Sequence, residues 1–114
     1  MNNTPLNIKY LTEYLAVSPQ LLPSDMQKVM NAGFRSLIIN LPDFELGDTQ
    51  PTAESVMKEA EMLGLVCAYL PVSTPAITPT DCHRFKELVN SLPQPILAFC
   101  RSGNRCTILF NGLG

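Results

Sequence analysis

The segment LPQPILAFCRSGNRCTILF, residues 92–110, joins two apolar runs through a short polar stretch that contains two cysteines and two arginines. The whole chain has only 8 Lys+Arg and 4 Cys, so both residue types are locally concentrated here. A short apolar run such as residues 96–99 is typical of a buried strand. We therefore predict that Cys100 is the first residue after a strand, that residues 101–104 form a tight loop, and that a helix begins near Arg105.

Segments typical of strands and helices alternate along the rest of the chain. Short apolar runs bounded by turns predict strands, and apolar residues three or four apart after Pro or Thr predict helices. The predicted elements are an edge strand at 13–18, a helix from Pro23 to Gly33 with Met26, Val29 and Met30 inward, a strand at 34–40, a helix at 51–64, a strand at 65–70, a helix from Thr78 to Leu92 with Cys82, Phe85, Val89 and Leu92 inward, and a strand at 96–99. This order predicts the α/β class, with one three-layer domain whose mainly parallel sheet of about four strands is flanked by helices. The loops after residues 40, 70 and 99 are expected to converge, because ligands of such sheets bind at the carboxyl ends of the strands.

The composition is that of an ordinary globular protein, with 46% hydrophobic and 16% charged residues and a net charge of −2. At 114 residues the chain has room for one domain, which we place at 1–114.

The sequence also excludes some partners. The net charge provides no strongly positive electrostatic field that would attract nucleic acid, and no apolar run reaches the ~20 residues of a membrane span. The amino terminus lacks the pattern of a signal peptide, which predicts a cytoplasmic protein. The cysteines form no CxxC pair and His83 is the only histidine, so we expect neither a metal nor a cofactor. The oligomeric state is left open.

The loop after residue 99 has the chemistry of an anion site. Its backbone N–H groups point to a common centre, the following helix adds its positive end, and Gly103 permits a conformation closed to other residues. A thiol at the first position, beside Arg101 and Arg105, is driven toward the nucleophilic thiolate. Arg105 can present two donors to an oxyanion. The predicted catalytic residues are Cys100 and Arg105, and the predicted substrate-binding residues are Arg101, Ser102, Gly103 and Asn104.

A purely structural explanation competes with this one. A cysteine at the end of a strand is usually a small buried hydrophobic residue, and Ser-Gly-Asn is a common turn. Two arginines beside the cysteine, however, add nothing to packing, and we favour a functional loop. We interpret Cys67 and Cys82 as core residues. Cys106 is open to two interpretations: it packs under the loop, or it traps oxidised Cys100 as a disulfide.

The loop motif resembles those of two families. Cys-Arg-Ser-Gly-Asn-Arg, with four residues between cysteine and arginine, is similar to the active-site loop of rhodanese-type sulfurtransferases, in which the cysteine carries a persulfide. Over roughly residues 14–110, the segments AVSPQLLPSDMQKVMNAGFRSLIINLPDFE, LGLVCAYLPV, AITPTD and LAFCRSGNR resemble, in that order, the phosphatase-like domain of the beta-lactamase-hydrolase-like family. Those are small bacterial proteins related to the cysteine-dependent dual-specificity phosphatases. The resemblance implies a phosphatase-like fold, Cys100 as nucleophile and Arg105 as oxyanion binder.

The chain departs from the phosphatase pattern in several places. Tyrosine-phosphatase relatives usually have five residues between cysteine and arginine, and the four-residue loop leaves a smaller ring, which favours sulfur chemistry. Phe99 replaces the usual histidine before the nucleophile, and Cys106 replaces the usual hydroxyl residue after the arginine. Residues 40–43 read Asn-Leu-Pro-Asp and lack an arginine found in related sequences. The family also continues with a full helix and more, which implies a domain truncated after the cysteine loop.

A phosphatase needs a general acid that protonates the leaving oxygen. Asp81 follows the loop in which such phosphatases hold theirs, although the third position of a capping box accounts for it better. Asp43 lies in the loop after the strand at 34–40, where a solvated turn residue is an equal alternative. Glu45 is a weaker third candidate. A sulfurtransferase needs none of these carboxylates.

The residues and the resemblance together predict a phosphatase-like hydrolase in which Cys100 attacks a phosphate ester and forms a phosphocysteine that water resolves. The alternative in the same pocket is a sulfurtransferase that carries a persulfide on Cys100. A third hypothesis is an inactive module that binds an anion or a partner protein. The expected partner is a small anionic substrate, either a phosphate ester or a sulfane-sulfur donor, and no nucleic acid or membrane.

Overall fold

Four parallel strands and one antiparallel edge strand form a sheet in the computed structural model, which describes residues 5–112. The strands are β1 (Lys9–Thr12), β2 (Leu15–Ser18), β3 (Ser36–Ile39), β4 (Val66–Tyr69) and β5 (Ile96–Phe99). The helices are α1 (Met26–Asn31), which follows a 3-10 turn at Pro23–Asp25, α2 (Ala53–Met62), α3 (Pro79–Ser91) and α4 (Asn104–Asn111). The sheet order is β1-β2-β5-β3-β4, in which only β1 runs antiparallel to its neighbour. The predicted α/β class is confirmed.

Helices cover both faces of the sheet and create three layers. Side chains alternate along each strand, so that Leu37 and Ile39 of β3 pack with α1 and α2, whereas Ile38 packs with α3 and α4. Every residue of β2, β3 and β5 is buried, as expected for strands with both faces covered. Cys82 is buried as predicted, but Cys67 is only half-buried because β4 is an edge strand. Within the described residues, no helix is long and apolar enough to span a membrane.

The amino-terminal hairpin differs from the prediction. The expected edge strand at residues 13–18 is instead β2, an internal strand between β1 and β5. The edge strand is β1, whose sequence KYLT has no apolar run and therefore gives a weak strand signal. The Oγ1 of Thr12 accepts the backbone N–H groups of Tyr14 and Leu15, each at 3.1 Å, and so closes the turn of the hairpin. The sheet consequently has five strands instead of about four.

A capping box begins α3 where the sequence predicts it. The Oγ1 of Thr78 accepts the N–H of Asp81 at 3.1 Å, and the Asp81 carboxylate accepts the N–H of Thr78 at 3.0 Å. On α1, one packing prediction is wrong, because Met30 is 43% exposed. The short helix turns Met26 and Val29 toward the core and leaves Met30 at the surface.

The carboxyl ends of β3, β4 and β5 meet at one edge of the sheet, as predicted. Asn40, buried directly after β3, joins them: its backbone N–H donates to the carbonyl of Phe99 and its Nδ2 to the carbonyl of Leu70, both at 2.9 Å. The N–H of Val72 donates to the carbonyl of Asn40 at 3.1 Å. These bonds bring the loops after the three strands together at the edge where the cysteine loop lies.

Candidate active site

The loop between β5 and α4 turns sharply at Gly103. This residue precedes the first turn of α4 and has a φ of +92°, a conformation that residues with a side chain rarely adopt. A Cβ at this position would lie 3.4 Å from the carbonyl carbon of Ser18, so the loop packs closely on the end of β2. The turn directs the N–H of Gly103 toward Cys100, whose Sγ accepts it at 3.1 Å. The loop geometry therefore requires glycine here.

Cys100 is a buried cysteine that is ionised at neutral pH. It is only 1% exposed, yet its pKa is lowered from the usual 9.0 to about 5. The largest cause is a hydrogen bond from the thiol of Cys106. The backbone N–H groups of Cys106, Ser102 and Gly103 add to it, while burial opposes them. The sequence predicts a thiolate stabilised by the loop amides, the helix end and the arginines. In the structure the amides contribute, but the largest cause is the Cys106 thiol, which the sequence does not suggest as a donor.

Cys106 lies beneath the loop and stays protonated. It is fully buried, and its Sγ is 3.2 Å from the Oδ1 of Asn40, to which the thiol can donate. Burial first, and then the neighbouring Cys100, raise its pKa well above 9.0. A thiol has one proton, and a charged sulfur is the stronger acceptor. Cys106 therefore donates its proton to Cys100 when Cys100 is ionised, and to Asn40 when it is not. Cys106 thus packs under the loop as a free thiol, and its disulfide with Cys100 stays a prediction.

Arg105 is almost completely buried, with 6% of its surface exposed. Its Nη1 and Nη2 donate to the two carboxylate oxygens of Glu45, each at 3.0 Å. Nη1 also donates to the carbonyl of Val72 at 2.8 Å, and Nη2 to the Oγ1 of Thr74 at 3.5 Å. Its Nε–H is buried and has no partner among residues 5–112. A buried donor without an acceptor costs about 1–3 kcal/mol, so an acceptor that reached this atom would be favourable. Arg105 therefore has one donor left for an anion.

Cys100 and Arg105 share a pocket of about 410 Å³ at the carboxyl edge of the sheet. The residues that line it are Glu45, Thr74, Cys100, Arg101, Ser102, Asn104 and Arg105. Five of the six loop residues predicted for the site line this pocket, and the sixth, Gly103, shapes the loop. Arg101 is exposed and has no ion pair or side-chain hydrogen bond within the described part of the chain. The pocket therefore combines an ionised sulfur with donors suited to an anion.

The two aspartates predicted as general acids lie outside this pocket. The Asp43 carboxylate accepts the backbone N–H of Ala53 at 2.7 Å, at the start of α2. The Asp81 carboxylate belongs to the capping box of α3. Glu45, the weaker third candidate, is the carboxylate that lines the pocket. The sequence gives little sign of this role, because Glu45 is one acidic residue in a polar loop and 60 positions separate it from Arg105.

The part of the chain that the structure describes contains no cluster of three or more His, Cys, Asp or Glu side chains that could hold a metal ion. His83 lies exposed on α3, where its Nε2 is 2.6 Å from the Oε1 of Glu87. The single histidine of the chain therefore pairs with a neighbour on its own helix, and does not line the Cys100 pocket.

The largely parallel sheet presents an ionised cysteine, a buried arginine and backbone amides at its carboxyl edge. These features define the class of cysteine-loop, phosphatase-like domains. Residues 7–112 match the family described as "Beta-lactamase hydrolase-like protein, phosphatase-like domain". The chain belongs to this family, and the sequence resemblance to the phosphatase-like domain of the beta-lactamase-hydrolase-like family is confirmed.

Relatives of known sequence or structure carry related names. The beta-lactamase hydrolase-like protein of Agrobacterium fabrum (strain C58) is 29% identical over 100 residues, which are 88% of this chain and 23% of that protein. The chain thus spans only 23% of the length of this curated relative. The crystal structure of a candidate phosphatase from Neisseria meningitidis Z2491 is 32% identical with a TM-score of 0.83, and the match covers 89% of this chain and 71% of that one.

More distant structures share the fold alone. A candidate phosphatase from Shewanella putrefaciens CN-32 is 16% identical with a TM-score of 0.76, and the match covers 92% of this chain and 68% of that one. The phosphatase-like fold implied by the sequence resemblance is therefore confirmed.

Proposed function

We propose that the protein is a cysteine-dependent phosphatase that hydrolyses a phosphate ester, with Cys100 as its nucleophile. The observation that carries this proposal is that one pocket is lined both by a cysteine with a pKa of about 5 and by Arg105, whose buried Nε–H has no partner among the described residues. A thiolate is a strong nucleophile at neutral pH, and a buried donor favours an oxyanion in front of it. Membership of a phosphatase-like family supports the same reaction.

In the proposed complex, the phosphoryl group of the substrate occupies the pocket of about 410 Å³. One non-bridging oxygen accepts the Nε–H of Arg105, and Ser102 and Asn104 offer donors at the rim. Arg101 adds a positive charge that is not tied to another described residue and attracts the anion. Glu45 holds the guanidinium through two hydrogen bonds, so we assign it the role of positioning Arg105.

The proposed chemistry has two steps. The thiolate of Cys100 attacks phosphorus, an S–P bond forms as the P–O bond to the leaving group breaks, and a phosphocysteine results. Water then attacks phosphorus, the S–P bond breaks, and inorganic phosphate departs as the thiolate returns. The thiol of Cys106 stabilises that thiolate as a leaving group, because its hydrogen bond is strongest when Cys100 is charged.

The proton for the leaving oxygen comes, in this proposal, from solvent. Asp43 and Asp81 hold helix N-termini outside the pocket, and both oxygens of Glu45 accept hydrogen bonds from Arg105. A leaving group that is a weak base needs little help from a general acid. Aryl phosphates are therefore expected to be better substrates than alkyl phosphates.

The test is the release of phosphate from p-nitrophenyl phosphate by the wild-type chain and two variants. Cys100→Ser is expected to lose turnover, whereas Cys67→Ser, which alters a cysteine outside the pocket, is expected to keep it. Rapid acid quenching of the wild-type reaction should trap phosphate on the peptide that contains Cys100, as mass spectrometry can detect. Turnover that survives in Cys100→Ser, or phosphate trapped on another residue, contradicts the proposal.

A sulfurtransferase is the second candidate, and the spacing of the loop favours it. Four residues separate Cys100 from Arg105, as in rhodanese-type loops. In this reaction the thiolate takes the outer sulfur of thiosulfate and releases sulfite, and the Cys100 persulfide then passes that sulfur to cyanide as thiocyanate. Thiocyanate formation that Cys100→Ser abolishes, without any turnover of p-nitrophenyl phosphate, selects this candidate. If both activities are absent, phosphate binding measured by calorimetry supports the inactive anion-binding module.

A further inference from the structure

A second cavity, of about 310 Å³, lies on the other side of the cysteine loop. Ser102 and Asn104 line this cavity as well as the Cys100 pocket, so the two spaces share part of the cysteine loop as a wall. The strand order explains the arrangement. Because β5 lies between β2 and β3, the loop after β5 has the loops of β3 and β4 on one side and the β1–β2 hairpin on the other. The hairpin supplies the far wall, including Lys9 and the neighbouring Asn7.

The groups around the second cavity favour an anion. Among the described residues, Lys9 is the only charged one that lines this cavity, and no carboxylate of that part of the chain does. The Lys9 side chain is exposed and has no ion pair or hydrogen bond within residues 5–112. The side-chain amides of Asn7 and Asn104 are also without a hydrogen-bond partner in the described chain. An unpaired cation and unpaired amide donors around one cavity complement a negatively charged group.

The size and position of this cavity fit part of a ligand. Its volume of about 310 Å³ is at the lower end of the roughly 300–1,000 Å³ found for small-molecule sites. The Cys100 pocket holds the reacting phosphate in the proposed function, and the remainder of the substrate must extend from it. Ser102 and Asn104 offer a direct route across the loop tip, because both residues line both spaces.

We propose that the second cavity binds a further anionic group of the substrate, a phosphate or a carboxylate, while the reacting phosphate occupies the Cys100 pocket. The inference rests on the proposed function and narrows its substrates to phosphate esters that carry two anionic groups. Lys9 is then a specificity-determining residue that contacts the group that does not react.

The first test compares matched substrates that differ in the second anion. The pairs are 1,4-phenylene bisphosphate with phenyl phosphate, and fructose 1,6-bisphosphate with fructose 6-phosphate, which differ in the spacing of their phosphates. For at least one pair, the wild-type chain is expected to have the higher kcat/KM with the bisphosphate. Lys9→Ala should lower the ratio of the two kcat/KM values by up to about fivefold. Lys9→Arg keeps the charge and should keep the ratio.

The matched control is Lys58→Ala, an exposed lysine of α2 that lines neither cavity. It is expected to leave the ratio unchanged, which separates a specific contact from a general effect of net charge. A ratio that is equal in wild type and Lys9→Ala for both substrate pairs overturns the proposal.

The second test measures binding without turnover. In Cys100→Ser, calorimetry should show tighter binding of the bisphosphate than of its monophosphate partner, and the added Lys9→Ala change should remove that advantage. A third titration uses phenyl phosphate in the presence of inorganic phosphate. If these separate molecules bind together as well as the bisphosphate does, the cavity takes free phosphate, and the claim of a two-anion substrate is overturned.

These tests also distinguish the two proposals. If the wild-type chain hydrolyses no phosphate ester, the proposed phosphatase function fails. The titrations of Cys100→Ser still decide whether a second anionic group binds beside Lys9.

Discussion

Cys100 and Cys106 share one small volume and yet differ in charge. Both are buried, with 1% and 0% of their surface exposed, and burial raises the pKa of a thiol. For Cys100 the hydrogen bonds outweigh burial, because the Cys106 thiol and three backbone N–H groups converge on its sulfur. Cys106 has no comparable set of donors, and its pKa rises well above 9.0. One cysteine therefore serves as the anion and the other as its donor.

The pKa of Cys100 predicts how its reactivity depends on pH. With a pKa lowered from 9.0 to about 5, the thiolate is present above that pH and is lost as the pH falls through it. We expect the rate of alkylation by iodoacetamide, a neutral reagent, to rise with a midpoint near pH 5 and then to level off. Cys67 is a built-in control, since burial and Glu61 raise its pKa to about 12. A midpoint near the usual 9.0 would show that the loop does not stabilise the thiolate.

The donor role of Cys106 can be tested separately. Cys106→Ala removes the largest cause of the lowered pKa of Cys100, so the alkylation midpoint should move up toward 9.0. A hydrogen bond to a charged group contributes about 1.5–3 kcal/mol, which corresponds to roughly one to two pH units. Cys106→Ser restores a donor of similar size and should bring the midpoint back toward the wild-type value. An unchanged midpoint in Cys106→Ala would mean that the backbone amides suffice.

The two aspartates that the sequence suggests as general acids instead accept hydrogen bonds at the N-termini of α2 and α3. Asp43 accepts the N–H of Ala53, and Asp81 accepts the N–H of Thr78. Such contacts satisfy donors that have no partner inside the helix. A carboxylate fixed in this way serves stability, and both side chains lie outside the Cys100 pocket.

We therefore expect Asp43→Ala and Asp81→Ala each to lower the free energy of unfolding by about 0.5–2 kcal/mol. Urea denaturation measures this, and the kcat for phenyl phosphate measures any catalytic role. A general acid contributes about 10²–10⁴-fold to the rate. A loss of kcat of that size in either variant would identify that aspartate as the acid and contradict the assignment to solvent.

The ion pair of Glu45 and Arg105 connects the loop after β3 to the first turn of α4. It is largely removed from solvent, with 24% and 7% of the two side chains exposed. Glu45→Ala leaves the guanidinium buried with fewer acceptors, and we expect the free energy of unfolding to fall by about 1–3 kcal/mol. Glu59→Ala, at an exposed position of α2, is the matched control. Equal urea midpoints for the two variants would show that the pair contributes nothing to stability.

The order of strands and helices in the whole chain follows from local signals that the sequence displays clearly. Apolar runs such as residues 36–39 and 96–99, and the capping box of Thr78 and Asp81, predict their elements within a few residues. The hairpin at residues 9–18 is different, because the exposed strand KYLT has no apolar pattern and owes its structure to pairing with β2. The short edge strand was therefore missed, and with it the far wall of the second cavity.

The candidate site was only partly predictable from the sequence, because local patterns do not show which distant residues pack against the cysteine loop. The cysteine loop is contiguous, and six consecutive residues display its nucleophile, its glycine and its arginines. The partners of the loop are distant in sequence: Asn40 is 66 positions from Cys106, and Glu45 is 60 positions from Arg105. No local pattern marks Asn40 or Glu45 as members of the site.

The amino-acid sequence alone specifies an α/β chain with a thiol and a guanidinium on an anion-binding loop, because strand, helix and turn preferences act over a few neighbouring residues. The tertiary structure decides which groups surround that loop. Placing β5 between β2 and β3 brings Asn40, Glu45 and Lys9 to it from distant parts of the chain. Strand order and register depend on the packing of the whole core, so the ionisation of Cys100, the orientation of Arg105 and the second cavity appear only once the chain has folded.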